Sequence, residues 1–213
     1  MELLELIWVK RFITFEGGEG SGKTTLIELL VSELRENGYD IIQTREPGGS
    51  KIAEQIRNVI LNIENTNMDY ITEAYLYAAS RRQHLSEVII PALNANKIVI
   101  CDRFIDSSLA YQGYARGIGI DKVYKINEYA TNGLLPDLTI YIDVDPTIGL
   151  NRIKTNHRKV DRFDLEELAF HKKVREGYLE VAKMFSERIK IIDGNRNIED
   201  IYKDVKQLIL PIL

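Results

Sequence analysis

Eight consecutive residues, Gly17-Gly18-Glu19-Gly20-Ser21-Gly22-Lys23-Thr24, satisfy the pattern G-x-x-x-x-G-K-[ST] in full. They follow a short apolar run, Phe12–Glu16, and open a segment in which Leu26, Leu29, Leu30 and Leu34 recur at helical spacing. The residue types suit one chemistry. Glycines let the backbone curl so that successive N–H groups converge on phosphate oxygens, and the helix N-terminus adds partial positive charge. Lys23 has the reach to meet the β- and γ-phosphates of a nucleotide, the hydroxyl of Thr24 suits Mg²⁺, and Thr25 extends the same turn.

Asp102 and Arg103 follow a second apolar run, Ile98–Cys101. An acid at such a strand end is placed to organise the Mg²⁺ that accompanies bound phosphates. A second acid after it would suit a hydrolase that orients water. Arg103 instead suits a second phosphate, held bidentately. No N-K-x-D guanine motif is present. The basic run Arg152, Lys154, His157, Arg158, Lys159 and Arg162 reads as a mobile lid, about 152–164, carrying charge onto two facing phosphates. A regulator that only binds nucleotide would need no such second cluster.

The elements that must position these groups alternate. Strands are expected at Phe12–Glu16, Asp40–Thr44, Ile98–Cys101, Leu138–Val144 and Arg188–Ile192, and helices at Lys23–Asn37, Ile52–Leu61, Thr72–Asn94 and Ile198–Leu208. Pro91 is expected to bend or shorten the third of these helices, and Pro146 to start another through Lys154. A further helix runs to Ser186. The alternation predicts an α/β fold, with a parallel sheet covered on both faces and the ligand beyond the strands' carboxyl ends.

Composition narrows the function. The chain has 213 residues and a net charge of −4, which suits one domain spanning 1–213 and argues against a nucleic-acid binder. Cys101 is the only cysteine, in keeping with a reducing cytoplasm. No apolar run approaches the roughly 20 residues of a membrane span, and the opening Met1–Lys10 segment does not read as a signal peptide.

FITFEGGEGSGKTT (Phe12–Thr25), TREPGGS (Thr44–Ser50) and DRFIDSSLAYQGYARG (Asp102–Gly117) resemble the thymidylate kinases. DRFD (Asp161–Asp164) and FHKKVREGYLEVA (Phe170–Ala182) extend the likeness over nearly the whole chain past Lys10. The resemblance implies a P-loop NTPase fold with a five-stranded parallel sheet, a homodimer, Mg²⁺-ATP as donor and thymidine monophosphate as acceptor. Lys23, Thr24 and Asp102 would then serve the donor phosphates and metal, and Arg45, Arg57 and Arg103 the acceptor phosphate. Glu19 would accept from the sugar 3′-hydroxyl, and Tyr111 would lie against the 2′ position. Some relatives carry arginine where this chain has Gly20. Here the catalytic arginine would come from the lid, as Arg158 or Arg162.

The acceptor set also makes sense by spacing. Tyr77 and Arg81 are four apart on a predicted helix and share a face, whereas Arg82 lies about 100° away. One can stack on a base while the other donates to its edge. Ser108, Tyr111 and Gln112 share a face if that stretch is helical, and Gln112 offers both a donor and an acceptor to a pyrimidine.

Overall fold

The computed structural model describes residues 11–155 and 161–213. Five short strands, β1 (Phe12–Glu16), β2 (Ile41–Arg45), β3 (Ile98–Asp102), β4 (Leu138–Asp143) and β5 (Ile189–Asp193), form one sheet. All its pairings are parallel, in the order β2-β3-β1-β4-β5. In register, Arg45 and Phe15 both pair with Asp102, and Phe15 with Ile140. β2 and β3 end at that level, β1 one residue further and β4 and β5 three residues further. The loops that follow all five open onto one edge, where ligands of such sheets bind.

Alternation along each strand divides the core in two. Phe12, Val99, Cys101 and Tyr141 face one side, packed with Leu109, Val123, Val174 and Tyr178. Ile13, Phe15, Ile100, Ile140 and Ile142 face the other, covered by α1 (Lys23–Glu36) and α9 (Ile198–Ile209) through Leu26, Leu30, Leu34, Ile201 and Val205. Burying one such side chain contributes about 1.5–3 kcal/mol. The expected apolar face of α1 needs one correction. Leu29 is 44% exposed, and Ile27 and Val31 complete the buried stripe instead.

The remaining helices among the described residues are α2 (Lys51–Leu61), α3 (Tyr70–His84), α4 (Ile90–Asn94), α5 (Ile105–Ser108), α6 (Ile120–Thr131), α7 (Pro146–Thr155) and α8 (Leu168–Met184). Between α3 and α4 the chain takes a wider π turn over Leu85–Ile89, just before Pro91. Proline has no N–H for the carbonyl four residues back, and the looser turn absorbs the mismatch where a bend was expected. A second π segment, Leu109–Ala115, continues α5. Helix α6 was not expected from the sequence. Its fully buried stripe, Val123, Asn127, Ala130 and Thr131, is half polar, which obscures the apolar period of Ile120, Val123 and Tyr124. No described helix is long and apolar enough to cross a membrane.

Candidate active site

A cleft of about 710 Å³ runs along the carboxyl edge of the sheet. It is lined at one end by Glu19–Thr25 and at the other by Tyr77, Arg81, Tyr111 and Gln112, with Asp102 and Arg103 between. It therefore gathers most of the expected site residues. Arg45 and Arg57 also line it, and Ser108 lies just behind, accepting hydrogen bonds from Arg81.

The phosphate loop joins β1 to α1 and needs its glycines. Gly22 caps α1 with a left-handed φ of 88°, and Gly20 has a φ of 68°. A Cβ at Gly20 would strike the backbone of Gly149 on α7. That contact leaves no room for the arginine some relatives carry there. Within the loop, the Lys23 ammonium donates to the carbonyls of Gly17 (2.9 Å) and Gly18 (3.1 Å) and to Ser21 Oγ (3.1 Å). Burial, and then the Arg103 charge, lower its pKa to about 8. A bound polyphosphate would relieve both effects. Thr24 Oγ1 donates to Asp102 Oδ2 at 3.1 Å. A hydroxyl and a carboxylate oxygen side by side are hard donors that suit Mg²⁺, which takes its other ligands from water and phosphate.

Arg103 sits in the left-handed region with φ 69°, which costs a non-glycine residue about 1–2 kcal/mol. The turn sends its side chain back across the strand ends. One nitrogen meets Glu19 at 2.7 Å and another donates to Tyr178 Oη at 2.9 Å, with the guanidinium 5.3 Å from the centre of the Tyr111 ring. Tyr178 in turn donates to Glu16 (2.9 Å), which also accepts from Ser107 Oγ (2.5 Å) and the Phe104 N–H (2.7 Å). Burial and the neighbouring Asp106 push the Glu16 carboxyl up to about 7. Sequence reasoning missed Glu16, Ser107 and Tyr178, which come from three elements.

At the other end, Arg81 is fully buried yet borders the cleft. Its Nε donates to Glu46 at 2.8 Å, and Nη1 to Ser108 (3.2 Å) and to Asn127. Glu46 also meets His84 Nδ1 at 3.0 Å, and His84 Nε2 lies 2.7 Å from Thr44 Oγ1. Arg82 turns away, as its angle on α3 requires, and donates to the Ala130 carbonyl. Tyr111 donates to Glu19 at 3.1 Å and packs edge-on against Phe163 and Tyr178. Gln112 donates to Glu73 at 2.7 Å. Glu73 was legible in principle. It stands four residues before Tyr77 and eight before Arg81, on one helical stripe. Arg45 pairs with Glu54 at 2.9 Å, and Arg57 donates to the Pro47 carbonyl at 2.7 Å. Burial and the nearby Arg45 charge lower the pKa of Arg57, so an anion between the two would be welcome.

The expected lid arginines part company. Arg158 lies outside the described residues. Arg162, expected over the phosphates, is instead drawn inward. It is buried, pairs with Glu73 and donates to the Ile60 carbonyl at 2.9 Å. The short helix around it is fixed by a capping box between Asp161 and Asp164, which sets its side chain against α3. Arg152 on α7 lines the cleft and donates to the Gly20 carbonyl at 3.3 Å.

The sheet order and the phosphate loop define a P-loop nucleotide-binding protein, and the second arginine cluster marks the kinases within that class. Residues 15–205 match the family model described as thymidylate kinase. A thymidylate kinase of Clostridium novyi is 59% identical over 92% of this chain and 96% of its own. One of Geobacillus thermodenitrificans is 58% identical over 95% of this chain and 90% of its own. The crystal structure of thymidylate kinase from Ehrlichia chaffeensis superposes with a TM-score of 0.76 at 35% identity, covering 93% of this chain and 97% of that one. The chain belongs to the thymidylate kinase family.

Proposed function

We propose that the chain transfers the γ-phosphate of Mg²⁺-ATP to thymidine 5′-monophosphate, giving the diphosphate on the way to dTTP. One observation carries the reading. A single cleft has a phosphate loop at one end, a pocket of Tyr77, Arg81, Tyr111 and Gln112 at the other, and Arg103 between.

Lys23 and the loop N–H groups would hold the β- and γ-phosphates, and Arg45, Arg57 and Arg103 the acceptor phosphate. Thr24 and Asp102 would hold the magnesium, which supplies charge neutralisation between the two phosphates when bound. The acceptor phosphate is already anionic near neutral pH, so no general base is required. Catalysis then rests on bringing two anions into line and neutralising their charge. Arg152 already borders the cleft, and with Arg158 it would complete that field. Glu19, which faces both Tyr111 and Arg103, would take the sugar 3′-hydroxyl. One domain spanning 1–213, a homodimer and a cytoplasmic location complete the reading.

Release of ADP from ATP, measured with each nucleoside monophosphate in turn, tests it. Thymidine monophosphate is expected to give the highest kcat/KM. A higher value with any purine monophosphate would overturn the assignment.

A further inference from the structure

Glu73 is fully buried and divides its carboxylate between two elements. Oε1 accepts from Gln112 Nε2 at 2.7 Å, and Oε2 accepts from Arg162, with Arg116 Nε 3.6 Å from Oε1. A carboxylate only accepts, whereas a primary amide has one accepting atom and one donating atom. Gln112 must therefore turn its nitrogen to Glu73, and its oxygen is the atom left for the cleft that the residue lines. A ring edge carrying an imide N–H, as in thymine or uracil, finds an acceptor there. The bare ring nitrogen of cytosine meets a lone pair.

We propose that Glu73 is the positioning residue that sets the pyrimidine choice, by locking the Gln112 amide in its N–H-reading orientation and tying that lock to the segment around Arg162. The inference rests on the thymidylate reading and deepens it. Glu73 touches no substrate. It acts through Gln112, and its second oxygen makes the lock depend on a residue of the lid segment.

Glu73→Gln provides the test, because its outcome is chemically constrained. The one remaining oxygen goes to the Arg162 guanidinium, which can only donate and makes a far closer contact than Arg116 Nε, 3.6 Å from the other oxygen. The new amide nitrogen then faces Gln112, which must flip and present its own nitrogen to the base. The kcat/KM values for dTMP, dUMP and dCMP would be measured in wild type, Glu73→Gln and Glu73→Asp. In Glu73→Gln the dTMP-to-dCMP ratio is expected to fall about 10-fold or more, since a mismatched buried hydrogen bond replaces a matched one. The dUMP-to-dCMP ratio should fall with it. Glu73→Asp keeps an acceptor-only group and should keep the ratio, even if all three values drop.

An unchanged ratio in a folded Glu73→Gln enzyme, on a wild type that prefers dTMP, would overturn the inference alone. A wild type that prefers a purine acceptor would overturn the thymidylate reading itself. Should Glu73→Gln not fold, side-chain amide NMR of the wild type with dTMP decides. The Gln112 amide protons should be shifted downfield and protected from exchange, and free exchange of both would refute the lock.

Discussion

At the donor end of the cleft the ligand-facing atoms belong mainly to the main chain. They come from the Glu19–Thr25 loop, shaped by Gly20 and Gly22 at left-handed φ, with the Lys23 ammonium held on the Gly17 and Gly18 carbonyls. At the acceptor end they belong to side chains, and each is held by a buried partner from a different element. Arg81 is fixed by Glu46, Ser108 and Asn127, Gln112 by Glu73, and Arg103 by Glu19 and Tyr178. The first construction needs a short contiguous sequence and serves any nucleoside triphosphate. The second needs a folded interior, and it can discriminate because its donors and acceptors cannot turn. Its carboxylates also make it fragile. Removing one partner of a buried ion pair typically costs about 3–5 kcal/mol.

Substitutions at the two ends should therefore differ in kind. Lys23→Ala should lower kcat on the order of 100-fold or more, by the same factor for every acceptor, with the circular dichroism spectrum unchanged. Retention of more than about a tenth of wild-type turnover would remove Lys23 from the donor site. A loss that varied with the acceptor would blur the division between the two ends.

Tyr111→Ala should instead change choice. Its ring is expected to exclude a 2′-hydroxyl, and an unpartnered buried hydroxyl costs roughly 1–3 kcal/mol. The preference for deoxyribose over ribose acceptors should therefore shrink about 5- to 150-fold, with KM for ATP unaltered. The same ring packs against Phe163, Phe170 and Tyr178, so Tm should fall as well. Tyr111→Phe keeps the ring and should keep the preference. If Tyr111→Ala leaves the ratio where it was, Tyr111 is packing and the sugar is read elsewhere.

The smallest effect concerns pH. Lys23, with its pKa lowered to about 8, is charged below that value and neutral above it. Bound phosphates favour the charged form, so the complex takes up the proton that the free enzyme loses. ATP affinity should be nearly constant below about pH 7 and weaken above it, by about threefold between pH 7.5 and 8.5. Calorimetric titration over that range would read it. An affinity flat to pH 9.5 would mean that Lys23 keeps its charge without the nucleotide.

This contrast also governs what the sequence makes legible. The phosphate loop is eight adjacent residues whose spacing states its chemistry, and the parallel strands announce themselves as apolar runs. Tyr77 and Arg81 emerge from helical spacing. Glu73 shares their stripe, but its role, like that of Glu46, stays hidden because a buried carboxylate looks like a surface one until its partner is known. Asn127 is hidden for a second reason, since with Thr131 it makes the buried stripe of α6 half polar. Arg162 is the opposite case. Within a basic run it reads as a mobile charge, and only the capping box and Glu73 reveal it as an anchor.

The contact between Gly20 and Gly149 restricts how such a site can change over generations. Two backbones from segments far apart in sequence touch where neither tolerates a side chain, so their substitutions are coupled. Placing an arginine at position 20 would require α7 to step away first. That displacement carries Arg152 off the cleft before the replacement charge has arrived. Neither position can gain a side chain while the other backbone stays in place, so the order in which the two can change is constrained.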